Sequence, residues 1–216
     1  MAVTLEKGQG VSLSKNDNDL SQVTIGLGWK IATPKRTLGS MLFGSKKDDD
    51  AYDLDVVAFL CDRTGKVSDL GRDANGKATL TNGDVVFFNN KNHRSGKIWL
   101  TGDNRSGGDG DADDEQIIVN LNELPDQYCK VVFVVQIYDG LARGESFGNV
   151  TSAFIHAVDR GGKELVRFNL SGNPGYTQFR SMLFAELVRE PNGWRFAAIG
   201  KPYTSDSFVE ILKLYA

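Results

Sequence analysis

The chain is poor in the side chains that carry most nucleophilic and soft-metal chemistry. Among its 216 residues there are two cysteines and two histidines. Cys61 and Cys129 cannot make a disulfide framework, and both sit in apolar, strand-like contexts, so buried free thiols are expected. His156 falls inside the apolar run 153–158, the setting of a hydrogen-bonded core histidine. His93 lies in the polar stretch 91–96, where exposure is expected. There is no nucleophile elbow and no Ser/His/Asp order. The Gly-rich stretch 102–108 lacks the Lys-Ser/Thr ending of a phosphate-binding loop. A non-enzymatic role is therefore expected. No apolar run approaches 18 residues, so no membrane-spanning helix is expected. The opening MAVTLEKGQG has no basic-then-apolar signal region, and a cytoplasmic location is expected. A net charge of −3 offers no general attraction to nucleic acid, and none is expected as a partner.

What the chain does have is many short β-rich segments. Val23–Trp29 (VTIGLGW), 54–60, 85–88 and 116–119 read as strands. The run 130–138, KVVFVVQIY, reads as a central strand buried on both faces. Segments 152–158 and 164–170 flank Asp159-Arg160-Gly161-Gly162 and predict a hairpin. Trp194–Ile199 follows the turn Pro191-Asn192-Gly193. Two late segments show helical spacing instead. In 176–189, Phe179, Met182, Leu183, Ala185 and Leu187 can share a face, and 205–215 repeats the pattern with Ser205 or Asp206 as N-cap. The fold class is mainly β, a β-sandwich with two short C-terminal helices, in a single domain spanning 1–216. Residues 33–50 read as a mobile loop insertion. Its Met41-Leu42-Phe43 tip lies between Lys35, Arg36, Lys46 and Lys47, and folding inward is favoured over a membrane or partner contact.

The most charged stretch is 102–115, GDNRSGGDGDADDE. Six acids against Arg105 give a local charge of −5 on fourteen residues. Such crowding in a Gly-rich run repels itself unless a cation or water relieves it. Carboxylates, amide oxygens and free carbonyls are the ligands that Ca²⁺ prefers. The run is not an EF-hand: counted from Asp109, the sixth position is Asp114 instead of Gly, and the twelfth is Asn120 instead of Glu. Further oxygen donors are needed from elsewhere. Asp53 and Asp55 open a strand and share a side by its two-residue period. Asn89 and Asn90 end another strand. Taken singly, each pair reads better as a turn or cap. Together with the acidic run they form a candidate site for two cations, because the donors exceed one shell.

These residues resemble the TerD family of tellurite-resistance and stress proteins. The resemblance is carried by 23–29, Asp53-Leu54-Asp55, Phe87-Phe88-Asn89-Asn90, Gly102-Asp103-Asn104 and 107–116. It continues through 133–139 (FVVQIYD), 146–148, 153–155 and 194–200 (WRFAAIG), in order along nearly the whole chain. It implies a β-sandwich binding Ca²⁺, usually two ions, at one end. The family's acidic positions fall on Asp53, Asp55, Asp103, Asn104, Asp109, Asp111 and the Asp113-Asp114-Glu115 cluster, and its paired asparagines on Asn89 and Asn90. The acidic run here is two residues longer than the family's usual form, so Asp109/Asp111 and Asp113/Asp114 compete for the same positions. The resemblance further implies a cytoplasmic stress module, in part peripheral at the inner membrane, whose partners are other stress or tellurite-resistance proteins. The expected role is Ca²⁺ ordering acidic loops for partner or membrane-complex binding. The alternatives are a metal-dependent phosphohydrolase-like enzyme and a Ca²⁺-bridged membrane-surface module.

Overall fold

A computed structural model describes residues 2–31, 53–101, 113–169 and 174–216. In chain order these hold β1 (Val3–Leu5), β2 (Gly10–Ser14), β3 (Val23–Ile31), β4 (Leu54–Cys61), β5 (Val85–Val86) and β6 (Ile98–Leu100). Then come β7 (Glu115–Val119), β8 (Lys130–Ile137), α1 (Gly140–Arg143), β9 (Val150–Asp159) and β10 (Glu164–Asn169). The chain ends with β11 (Ser181–Glu190), β12 (Gly193–Tyr203) and α2 (Phe208–Leu212). The strands form two six-stranded sheets. The first has the order β1-β10-β9-β3-β7-β6, the second β2-β12-β11-β8-β4-β5.

The alternation of side chains explains why the second sheet needs two apolar faces. Along β4, Leu54, Val56, Ala58 and Leu60 face the core between the sheets, together with Val131, Phe133, Val135 and Ile137 of β8. Val57, Phe59, Cys61, Val132 and Val134 face the other way, under Phe208, Ile211 and Leu212 of α2 and Phe87. A strand covered on both sides reads as a continuous apolar run, as KVVFVVQIY does. The hairpin of β9 and β10 is also as expected. The Asp159 carboxylate accepts from Gly161 N and Lys163 N at 3.0 and 2.9 Å and so shapes the turn.

Segment 176–189 is not a helix. It becomes β11, paired with both β12 and β8, with a register shift between Leu183 and Ala185. Phe184 is the extra residue of that bulge. Met182, Phe184, Ala185 and Leu187 all reach the inter-sheet core. A bulge that shifts the alternation by one places apolar residues at spacings that imitate a helical face.

The final helix is real but shorter than 205–215. It is capped by Ser207, whose side chain accepts from Val209 N, rather than by Ser205 or Asp206. Asp206 accepts instead from Leu141 N at 2.8 Å. The other described α-helix, α1, precedes β9, so only α2 is C-terminal.

Candidate functional site

Strand direction gathers the oxygen donors. β3 and β7 are antiparallel with Leu27 opposite Glu115, and β4 and β8 are antiparallel with Leu54 opposite Ile137. The start of β4, the start of β7 and the end of β8 therefore meet at one end of the sandwich. β5 covers only Ala58 and Phe59 of β4, which leaves the edge beside Val56 open. Glu115 takes that edge: its Oε2 accepts from Val56 N at 2.5 Å and so joins the two sheets. Asp114 continues the pairing of β7 with β3. Its N–H donates to Leu27 O at 2.8 Å, and its Oδ2 accepts from Trp29 N at 3.1 Å. Asp55 faces outward from the second sheet, where its Oδ2 accepts from Gln136 Nε2 at 3.0 Å. Gln136 Oε1 in turn accepts from Phe208 N at 2.8 Å, which ties the acid to the start of α2. Asp53 holds the same end through its carbonyl, which accepts from Tyr138 N at 2.8 Å.

Three of these carboxylates are buried: Asp55 is 6% exposed, Asp114 5% and Glu115 2%. A buried carboxylate is costly unless hydrogen-bonded or paired. All three stand near strand starts at the end where the acidic run joins β7, and oxygen donors of this type are those a divalent cation prefers. The described residues alone do not close a shell, since no three of their His, Cys, Asp or Glu side chains group as metal ligands. Asp103, Asn104, Asp109 and Asp111 lie outside the described residues, as does the loop 33–50.

Asp113, Asp114 and Glu115 diverge. Asp113 lies on the outer face of the first sheet, over Gly26, where an added Cβ would sit 2.2 Å from its Oδ2. Gln116 and His156 are the register partners of Gly26 on either side. Gln116 Nε2 donates to Asp113 Oδ2 at 3.0 Å, and His156 Nε2 meets Asp113 Oδ1 at 2.8 Å. The other ring nitrogen, Nδ1, meets Glu164 Oε2 at 2.7 Å. Burial opposes the imidazolium, but the two carboxylates outweigh it and raise the His156 pKa above its ordinary 6.5. His156 is thus the bonded, buried histidine that its apolar strand predicts.

A raised histidine pKa stabilises the fold fully below about 6.5 and loses that contribution as pH rises through the folded value. Urea unfolding at pH 5.5 and pH 8 should show wild type losing stability over this interval relative to His156→Gln. Equal pH dependence in the two proteins would contradict the clamp.

Asn90 closes a turn. Its Nδ2 donates to Val85 O at 2.6 Å and its Oδ1 accepts from Asn82 N at 3.2 Å. Asn89 is exposed at the tip of the same turn. The aromatic contact of Phe88 with Tyr138, with ring centroids 5.9 Å apart, places this turn at the same end as Asp53 and Asp55.

His93 corrects the expectation of exposure: it is 2% exposed. Its Nε2 faces Asp84 Oδ1 at 3.2 Å, and its Nδ1 accepts from Ser95 N at 3.1 Å. The same Asp84 oxygen accepts from Tyr128 OH at 2.7 Å and Arg94 Nη2 at 2.8 Å, while Oδ2 accepts from Asp69 N at 3.1 Å. Burial pushes the Asp84 pKa up, but the His93, Tyr128 and Arg94 contacts prevail and lower it. The Ser95 hydroxyl meets the His93 ring at 2.8 Å but also accepts from Lys97 N, so it serves the turn. The cysteines are both free, and Cys129 is partly exposed instead of buried. Burial pushes the Cys61 thiol up to about 12, which leaves it protonated and unreactive.

The fold and this end define a two-sheet β-sandwich with buried acids beside an acidic segment. The chain belongs to the TerD family: the TerD domain matches residues 1–215. It is 58% identical over 215 residues to a tellurium resistance protein TerX of Serratia marcescens, covering 100% of each chain. It is 36% identical to a tellurium resistance protein TerD of the same organism, covering 94% of this chain and 92% of that one. It is 34% identical to the stress response protein SCP2 of Bacillus subtilis (strain 168), over the full length of both. A solved structure described as a homologue of telluride resistance protein (TerD), from Streptomyces coelicolor A3(2), superposes with a TM-score of 0.58 at 17% identity. That match covers 91% of this chain and 98% of the other, and supports the fold alone. No described helix is long and apolar enough to cross a membrane.

Proposed function

We propose that this protein is a calcium-binding member of a tellurium-resistance and stress-response system, acting by docking to partner proteins. The observation that carries the reading is the burial of Asp55, Asp114 and Glu115 at one end of the sandwich, where the acidic run enters β7. The names of the full-length relatives support the stress and resistance context. A bound divalent cation supplies charge neutralisation there. The residues supply the connections: Glu115 reaches β4, Asp114 reaches β3, and Asp55 reaches α2 through Gln136. Asp103, Asn104, Asp109, Asp111 and Asn89 are the proposed additional donors, and two ions are proposed. Asp113 is the weakest of the proposed ligands, because His156 and Gln116 already engage its carboxylate. A cytoplasmic location, in part peripheral at the inner membrane, completes the proposal.

The test is thermal unfolding with calcium and with chelator. Binding to the folded state adds about 2.7 kcal/mol at a hundredfold excess over Kd. For a domain of this size that raises the melting temperature by roughly 5–10 °C. An unchanged melting temperature would contradict the proposal.

A further inference from the structure

Beside the acidic end, on the outer side of the second sheet, is a pocket of about 300 Å³. Its walls come from three distant segments: Phe88 from the turn after β5, Gln136, Tyr138 and Asp139 from the end of β8 and just beyond, and Asp206 to Phe208 from the start of α2. Its chemistry is one-sided. Phe88 and Tyr138 meet edge to face, and Tyr138 is 43% exposed. The two charged wall residues, Asp139 and Asp206, are both acids, and no basic side chain lines the pocket among the described residues.

Three backbone donors at this place are already used. Phe208 N is taken by Gln136, Val209 N by Ser207 and Leu141 N by Asp206. Asp139 stands at the N-cap of α1 in a left-handed conformation, φ 52°, yet its side chain makes no capping bond. An aspartate there would ordinarily cap the helix. Its carboxylate has no side-chain partner among the described residues. Close in sequence to the wall residues, Leu141 is 66% exposed and Val209 39%. Aromatic faces and carboxylates together attract a cation carried on an apolar stem.

We propose that this pocket receives an arginine or lysine side chain presented by a partner protein. The methylene stem lies along Phe88 and Tyr138, and the guanidinium or ammonium reaches Asp139 and Asp206. Leu141 and Val209 meet apolar residues flanking that side chain. The charge complementarity comes wholly from described residues. The site goes beyond the calcium reading and does not depend on it.

The probe is a pentapeptide with one central arginine, titrated into the full-length labelled protein in chelator and followed by amide chemical shifts. Failure here and failure of the calcium proposal are then separate results. Saturable shifts are expected at Tyr138, Asp139, Leu141 and Ser207. The neutral citrulline peptide should bind about tenfold more weakly. Asp139→Asn, whose spectrum should otherwise overlay that of wild type, should weaken the arginine peptide to a similar degree, and Tyr138→Ala should do the same through the lost ring face. Equal binding of the arginine and citrulline peptides, or an unaltered Asp139→Asn titration, would overturn the proposal. So would ethylguanidinium binding as tightly as the peptide, because the pocket would then serve a free small cation.

Discussion

Glu115→Gln is expected to lose stability in calcium but not in chelator. The glutamine keeps a carbonyl oxygen for Val56 N, so the link between β7 and β4 survives. What disappears is a charge on a side chain that is 2% exposed. In chelator, removing a buried charge relieves its desolvation, and the variant should match or exceed wild type. In calcium, a lost carboxylate should remove most of the ligand-induced gain, about 1.5–2.5 kcal/mol of the roughly 2.7 available at a hundredfold excess. Glu115→Ala is different, because it also leaves Val56 N without its acceptor at a buried edge. It should cost about 2–3 kcal/mol in both conditions. Urea unfolding of the two variants, with and without calcium, separates the roles. Parallel losses for Glu115→Gln in both conditions would make Glu115 a structural bridge and nothing more.

Asp84→Ala should be the most damaging single change outside the apolar core. Asp84 is 1% exposed and accepts from Tyr128 OH, Arg94, His93 and Asp69 N. Its removal leaves the Tyr128 phenol, the His93 imidazole and Asp69 N without their acceptor around one cavity, while half-exposed Arg94 keeps its ion pair with Asp69. Leaving buried donors without an acceptor costs about 1–3 kcal/mol each, so a loss of roughly 2–4 kcal/mol is expected. Asp84→Asn retains one acceptor oxygen and should lose less. Both are read from the urea midpoint at unchanged m value. A loss under about 1 kcal/mol for Asp84→Ala would mean that water replaces the carboxylate freely.

The parts of the fold legible in the sequence are those set by local alternation and turn chemistry. KVVFVVQIY could only be a strand covered twice, and Asp159-Arg160-Gly161-Gly162 could only reverse the chain between β9 and β10. β11 was not legible, because the bulge at Phe184 puts two neighbouring residues on one face and counterfeits a helix. His93 was not legible either. Its sequence neighbours are polar, and its burial comes from Asp84 and Tyr128, nine and 35 residues away.

The candidate site was legible as composition but not as geometry. The run Asp113-Asp114-Glu115 announces charge. Only the register of β7 with β3 shows Asp113 turning toward His156, Asp114 toward Trp29 and Glu115 toward Val56. The pocket beside α2 had no linear signature, since its walls come from positions 88, 136, 138, 139 and 206–208.

Calcium uptake by dialysed protein tests the central claim most directly. The account predicts saturable binding of two ions per chain, reduced when Glu115 or Asp55 is made neutral. Protein that takes up no calcium up to millimolar concentration would contradict it.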